Sequence, residues 1–219
     1  MAASILNRTG CWWAAPGVQN SWNSSSSVQS GTPSQGGNYR SKIAFSTAGL
    51  TIGKSQKLVV EITLSNNSFP QRCKGVLSAN GDIEYNDVQN SACTDMSDTL
   101  NASAIATSVS YKDADGASAY TGDSSVASGK KFYFIFDTDG IEADKTYYVY
   151  VIQTAKSNSW VKGTASSVVA TLTYDDYYCV RIGNGNGHDK HAVYIHDGTS
   201  FVKYRPYIHD GTDWQPYDG

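Results

Sequence analysis

From Tyr39 onward, apolar and polar residues alternate with a period of two. That period belongs to a strand with one buried and one wet face. In Tyr39–Phe45 it places Tyr39, Ile43 and Phe45 on one side. Residues 57–65 carry the clearest pattern, with Leu58, Val60, Ile62 and Leu64 opposed by Lys57, Glu61, Thr63 and Ser65. Phe132, Phe134 and Phe136 repeat it within 131–136, and Val168, Ala170, Leu172 and Tyr174 repeat it again. Residues 146–154 are apolar or aromatic on both sides, which predicts a central strand. Weaker strands are predicted at 76–78, 83–85 and 105–111.

Turn signals separate these runs: Asn80-Gly81-Asp82, Asp113-Ala114-Asp115-Gly116, Ser128-Gly129 and Asp137-Thr138-Asp139-Gly140. Only 87–100 hints at a helix. Val88, Ala92, Met96 and Leu100 are spaced by four there, but the Asn, Ser, Thr and Asp between them are poor helix formers. Many short strands with frequent turns predict an all-β, antiparallel β-sandwich over residues 39–176, jelly-roll or immunoglobulin-like in topology.

Residues 1–38 lack the period and read as an irregular arm. Asn23-Ser24-Ser25-Ser26-Ser27 and Gly31–Gly37 are flexible by composition. Trp12, Trp13 and Trp22 sit before and between them, and a solvated linker has no use for three indoles. The arm is therefore expected to dock on its own core, a sister subunit or a neighbouring protein through these three residues.

The end of the chain repeats. Tyr194-Ile195-His196-Asp197-Gly198-Thr199-Ser200-Phe201 recurs thirteen residues later as Tyr207-Ile208-His209-Asp210-Gly211-Thr212-Asp213-Trp214. A further step back reaches a degenerate copy, with Ile182, Asn184, Gly185 and Lys190 at matching places. Residues 177–219 thus divide into units 181–193, 194–206 and 207–219, each with the grammar of a β-hairpin. Asp-Gly is a preferred two-residue turn because both positions take positive φ. Such a turn at Asp197-Gly198 would set His196 opposite Thr199 and Tyr194 opposite Phe201. In the next unit His209 would face Thr212, and Tyr207 would face Trp214. An isolated two-stranded hairpin is marginal in water, so these units need a surface to stack on. Tyr194, Phe201, Tyr204, Tyr207, Trp214 and Tyr217 are the candidate contact residues, for assembly or for stacking on sugar rings.

Composition narrows the function. The 219 residues carry 17 Lys plus Arg and 20 Asp plus Glu, a net charge of −3, and no basic run to follow a phosphate backbone. Nucleic-acid binding is disfavoured, and no apolar stretch approaches the ~20 residues of a membrane span. Residues 1–8 lack the charged head and apolar centre of a signal peptide, so either the chain is not exported by the general route or its leader is missing from it. Cys11, Cys73, Cys93 and Cys179 form no Cys-x-x-Cys pair. Free, partly buried thiols are the default, with a Cys73–Cys93 bridge the alternative. His188, His191, His196 and His209 all lie in the tail and read as surface residues beside turns. The Asp113–Gly116 and Asp137–Glu142 loops are oxygen-rich but lack the twelve-residue calcium pattern and read as tight turns. Neither a nucleophile elbow, a phosphate loop nor a dinucleotide fingerprint occurs, and no pair of carboxylates is marked out. Catalytic residues, metal ligands and cofactors are therefore not assigned, and the chain is expected not to be an enzyme.

The tandem aromatic-Ile-x-Asp-Gly-Thr/Ser units resemble those that end virion proteins of phages and prophages of Gram-positive and gut bacteria. Residues 39–45, 57–62 and 141–151 are similar to the β-sandwich modules of those proteins. The resemblance implies a structural or adhesive part of a virion, in the tail, at its tip or decorating the head. Such a protein is made in the host cytoplasm. Its partners would be other virion proteins and copies of itself, with bacterial surface glycan as the alternative. His196 and His209, just before the Asp-Gly turns, depart from the family pattern.

Overall fold

The computed structural model describes residues 2–15, 19–25, 29–30, 40–65, 69–70, 73–89, 95–120, 125–126, 129–153, 163–175, 179–183, 188–192, 194–196, 201–203, 207–209 and 214–216. The strands are, in order, β1 (Ala2–Ala15), β2 (Gln19–Ser24), β3 (Gln29–Ser30), β4 (Arg40–Ser46), β5 (Lys54–Leu64), β6 (Phe69–Pro70), β7 (Cys73–Ser78), β8 (Ala104–Val109), β9 (Ser125–Val126), β10 (Lys131–Asp137), β11 (Thr146–Gln153) and β12 (Gly163–Asp175). Three short pairs follow: β13 (Cys179–Gly183) with β14 (His188–Ala192), β15 (Tyr194–His196) with β16 (Phe201–Lys203), and β17 (Tyr207–His209) with β18 (Trp214–Pro216). All the pairings are antiparallel.

Eight strands join side by side in the order β10-β5-β12-β1-β4-β11-β7-β8, with β2 added on β1 and β3 on β12. The two ends of this order nearly meet. Just beyond β8, Tyr111 N–H donates to Tyr133 O at 2.8 Å, and Tyr133 N–H returns to Tyr111 O at 2.9 Å. Ile135 N–H donates to Ser108 Oγ at 2.7 Å. The result is a nearly closed, barrel-like sheet. The two separate sheets expected of a sandwich are replaced by one continuous path.

β1 is the cause. Its first half (Ala2–Leu6) pairs with β12 and its second (Asn7–Ala14) with β4. Residues 2–15, read from the sequence as irregular, therefore form a strand in the middle of the order. The register shifts between Arg8 and Gly10, the mark of a β-bulge. Before the shift an even position, Leu6, enters the core, and after it an odd one, Cys11, does. A bulge breaks the period-two signal.

The interior is filled from all sides by Leu58, Val60, Ile62 and Leu64 of β5, Phe132, Phe134 and Phe136 of β10, Ile43 and Phe45 of β4, Tyr147, Val149 and Val151 of β11, and Ala170, Leu172 and Tyr174 of β12. The alternation in these strands is as the sequence indicated. β11 is central, between β4 and β7. It is apolar on both sides because its other face is covered too. Tyr150 and Ile152 join Val76, Ile83, Val88 and Leu100 in a second, smaller core outside the barrel.

The lid of that second core is the segment after β7. The helix expected over 87–100 is reduced to a 3-10 turn (Tyr85–Asp87) and one short helix, α1 (Asp98–Ala102), capped by Ser97 Oγ on Leu100 N–H. Val88, Met96 and Leu100 pack on the sheet from separate pieces of chain rather than from one helical face. Of residues 83–85, expected as a strand, Ile83 and Glu84 are loop and Tyr85 opens the 3-10 turn. Ala92 and Cys93 lie outside the described residues. Cys11 and Cys73 are both buried.

Candidate functional site

The outer face of β1, β4 and β11 carries cations among aromatic rings. Small residues make the room. Trp12 lies over Gly10, where a Cβ would come within 2.2 Å of the indole, and Tyr148 lies over Gly81 in the same way. Trp12 and Lys42 are cross-strand partners on β1 and β4. The Lys42 ammonium lies 4.9 Å from the Trp12 ring, 5.0 Å from Trp22 and 5.9 Å from Tyr148. It also donates to Gly81 O at 2.8 Å. Burial pulls the Lys42 pKa below the ordinary lysine range, and the charge of Asp82 partly opposes this.

A second cation lies one step along β4. The Arg40 guanidinium sits 4.4 Å from the Tyr85 ring centre, and it donates to Tyr85 O at 2.6 Å and to Gln89 Oε1 at 3.2 Å. Trp22 of β2 lies beside Lys42 and Tyr85. Its ring meets Tyr85 edge-on at 6.3 Å and Tyr150 at 6.1 Å, and its Nε1–H donates to Ile83 O at 2.8 Å. Tyr150 is fully buried, and burial raises the pKa of its hydroxyl, which donates to Asn80 O at 2.8 Å. Ser21, Trp22, Glu84, Tyr85 and Asn86 line a cleft of about 230 Å³ here. Of these, Tyr85 is buried, Trp22 is half-buried, and Ser21, Glu84 and Asn86 are exposed.

The three indoles of the arm are therefore placed on this chain's own sheet. Trp12 and Trp22 share Lys42, and Trp13 is half-buried on β1 opposite Ser41. Tyr194, Phe201, Tyr207 and Trp214 lie in β15 to β18, while Tyr204 and Tyr217 lie outside the described residues. The tail pairing differs from a two-residue turn. His196 is opposite Phe201 and His209 opposite Trp214, so Tyr194 meets Lys203 and Tyr207 meets Pro216. Four residues, not two, connect the strands of each pair. An Asp-Gly dipeptide is compatible with either loop length, so the dipeptide alone did not fix the register.

No protein-family model and no curated protein matches this chain. The oxygen-rich loops bond inward. Ala117 N–H donates to Asp113 Oδ1 at 2.7 Å and Asp115 Oδ1 at 3.0 Å, while Asp137 and Asp139 each lie 3.8 Å from a lysine, Lys57 and Lys54. A hydrogen bond with Asp113 lowers the pKa of the exposed Asp115. Among the described residues, no group of three or more His, Cys, Asp or Glu is placed to hold a metal.

Sequence reasoning missed Arg40, Lys42, Tyr85 and Tyr148 as members of one cluster. The available signal was two cations alternating with Ser41 and Ile43 in a strand otherwise rich in core residues. A cation held in the middle of such a strand needs rings and carbonyls around it.

Proposed function

We propose that the chain is a non-enzymatic structural protein of a bacteriophage virion, in the tail, at the tail tip or decorating the head. It works through subunit–subunit contacts in a symmetric assembly. One observation carries this reading. The three C-terminal pairs step by the thirteen-residue period: Ile182 opposite Asp189 becomes Ile195 opposite Val202 and then Ile208 opposite Gln215. Each is a two-stranded sheet of its own, apart from the ten-stranded one. Such ribbons are marginal alone, so the reading gives them a surface on other chains. Tyr194, Phe201, Tyr204, Tyr207, Trp214 and Tyr217 supply the contacts. Deleting residues 177–219 is expected to abolish incorporation into particles while leaving the far-ultraviolet circular dichroism of the barrel. Normal incorporation of the shortened chain would contradict the role given to the tail.

A second reading, a carbohydrate-binding adhesion module for bacterial surface glycans, is favoured by the cleft beside Trp22 and Tyr85. Glu84 and Asn86 are exposed on its rim. Under this reading Glu84→Ala and Asn86→Ala weaken binding on a glycan array and leave the oligomeric state unchanged. Equal binding by the parent and both variants would remove the cleft from consideration.

A further inference from the structure

The barrel has two unlike walls. The β1-β4-β11-β7 wall is covered by β2 and by residues 79–89 and 95–103, as described above. The wall of β5, β12 and the first half of β1 carries no such layer among the described residues. Its outward residues fall into cross-strand rows fixed by the register. The middle row is Ile135–Val59–Thr171–Ile5, crossing β10, β5, β12 and β1; at its β10 end Ile135 is covered by the Asp113–Gly116 loop, where a Cβ on Gly116 would lie 3.1 Å from it. The row contains no charge, and Ile5 is 72% exposed, the most exposed large apolar side chain of the described residues. On one side lies the row Tyr133–Glu61–Val169, and on the other Asp137–Lys57–Thr173–Ala3.

We propose that this wall is a two-fold interface between two copies of the chain, with the axis running along the Val59–Thr171–Ile5 row. The proposal rests on the assembly reading above and names the surface that builds it. A two-fold axis in that direction lays the middle row on its own copy and exchanges the two flanking rows. Glu61 of each copy then faces Lys57 of the other. Val169 meets Thr173. An isologous interface requires such self-complementarity, and opposite charges placed either side of an apolar centre satisfy it. An axis perpendicular to this one, along the strands, sets Glu61 and Lys57 against neighbouring columns and loses the match. Sheets packed face to face lie about 10 Å apart with strands within ~30° of alignment, which this axis allows. Apolar centre and polar rim also follow the usual anatomy of protein interfaces.

Within one copy, Glu61 pairs with Lys131 at 2.9 Å and Lys57 with Asp137 at 3.8 Å, and Asp115 of the Asp113–Gly116 loop also interacts electrostatically with Lys57. This makes a charge-reversal cycle informative. In the double variant Lys57→Glu/Glu61→Lys both internal pairs stay broken, whereas the pair across the axis is restored with its signs exchanged. Light scattering on the full chain should give an even number of copies. Ile5→Glu, Lys57→Glu and Glu61→Lys should each weaken the dimer at least tenfold and halve the mass near its dissociation constant. The double variant should recover the parent mass. All four variants change outward side chains, and circular dichroism checks that each is folded. An odd copy number, an unchanged mass in Ile5→Glu, or a double variant no better than its single parents overturns the interface. A parent that is monomeric yet enters particles would remove this interface and leave the assembly reading standing. An intact two-fold dimer that never enters particles would do the reverse.

Discussion

Lys42 holds three rings from three parts of the chain: Trp12 of β1, Trp22 of β2 and Tyr148 of β11. Each desolvated cation–π contact contributes on the order of 0.5–2 kcal/mol, and a charged hydrogen bond such as that to Gly81 O about 1.5–3. Removing the charge also removes its desolvation cost, so the net effect is smaller than their sum. Lys42→Met should destabilise the fold by roughly 1–3 kcal/mol in urea titration, with a change in tryptophan emission. A variant as stable as the parent would show that the rings pack without the cation. Cys11 gives a pH signature. Burial raises its thiol pKa from 9.0 to about 11, with Arg8 opposing weakly. Below pH 9 both folded and unfolded states keep the proton, and this group imposes no loss. Between 9 and 11 the unfolded thiol ionises first, so stability falls as pH rises, by up to roughly 3 kcal/mol. Tyr150, raised in the same direction by burial, adds to the loss above 10. Cys11→Ala should therefore show a shallower decline than the parent between pH 9 and 11. Identical slopes would mean that the thiol is not the group responsible.

At the scale of elements, closure of the sheet rests on few bonds. Tyr111 and Tyr133 exchange two, and Ser108 Oγ takes the N–H of Ile135. Ser108→Ala leaves that N–H without its acceptor and should cost about 1–3 kcal/mol. Amide exchange at Ile135 should then quicken more than at Ile62 in the neighbouring strand. Equal quickening would indicate global loss rather than an opened seam. Packing inside the barrel is equally specific. A Cβ on Gly75 would meet the Phe134 ring at 2.8 Å, so Gly75→Val should cost about 1–3 kcal/mol through overpacking, visible as a lowered thermal midpoint. These elements also show what the sequence could and could not convey. β5, β10 and β12 face the core with one side, and period two marks them directly. β11 was legible as central because both of its faces are covered. β1 was hidden by a bulge that moves its core residues from even to odd positions. The second core was hidden because Val88, Met96 and Leu100 meet through tertiary folding, so their spacing of four imitated a helix. The Lys42 cluster depends on Gly10 and Gly81, whose missing side chains are read as turn or loop until the rings above them are seen.

At the scale of the whole molecule, a nearly closed barrel leaves few strand edges to pair with neighbours. Association must then use faces and appendages. Under the two proposals above, the β5-β12-β1 wall would join two copies, and the three C-terminal ribbons would bring the tail's aromatic residues to further contacts. Aromatic anchors of this kind dominate binding when they are desolvated at the centre of a contact. Trp214→Ala should therefore lower incorporation into particles without changing the two-fold dimer in solution. Loss of the dimer in that variant would show that ribbons and wall are not independent. The most direct test of the account is quantitative mass spectrometry of purified, salt-washed phage particles from a host strain carrying the gene. The account predicts the chain at a fixed copy number relative to the major capsid protein, in an even multiple set by the particle's symmetry. Its absence from washed particles, or a variable trace amount, would contradict the claim that it is a building block of the virion.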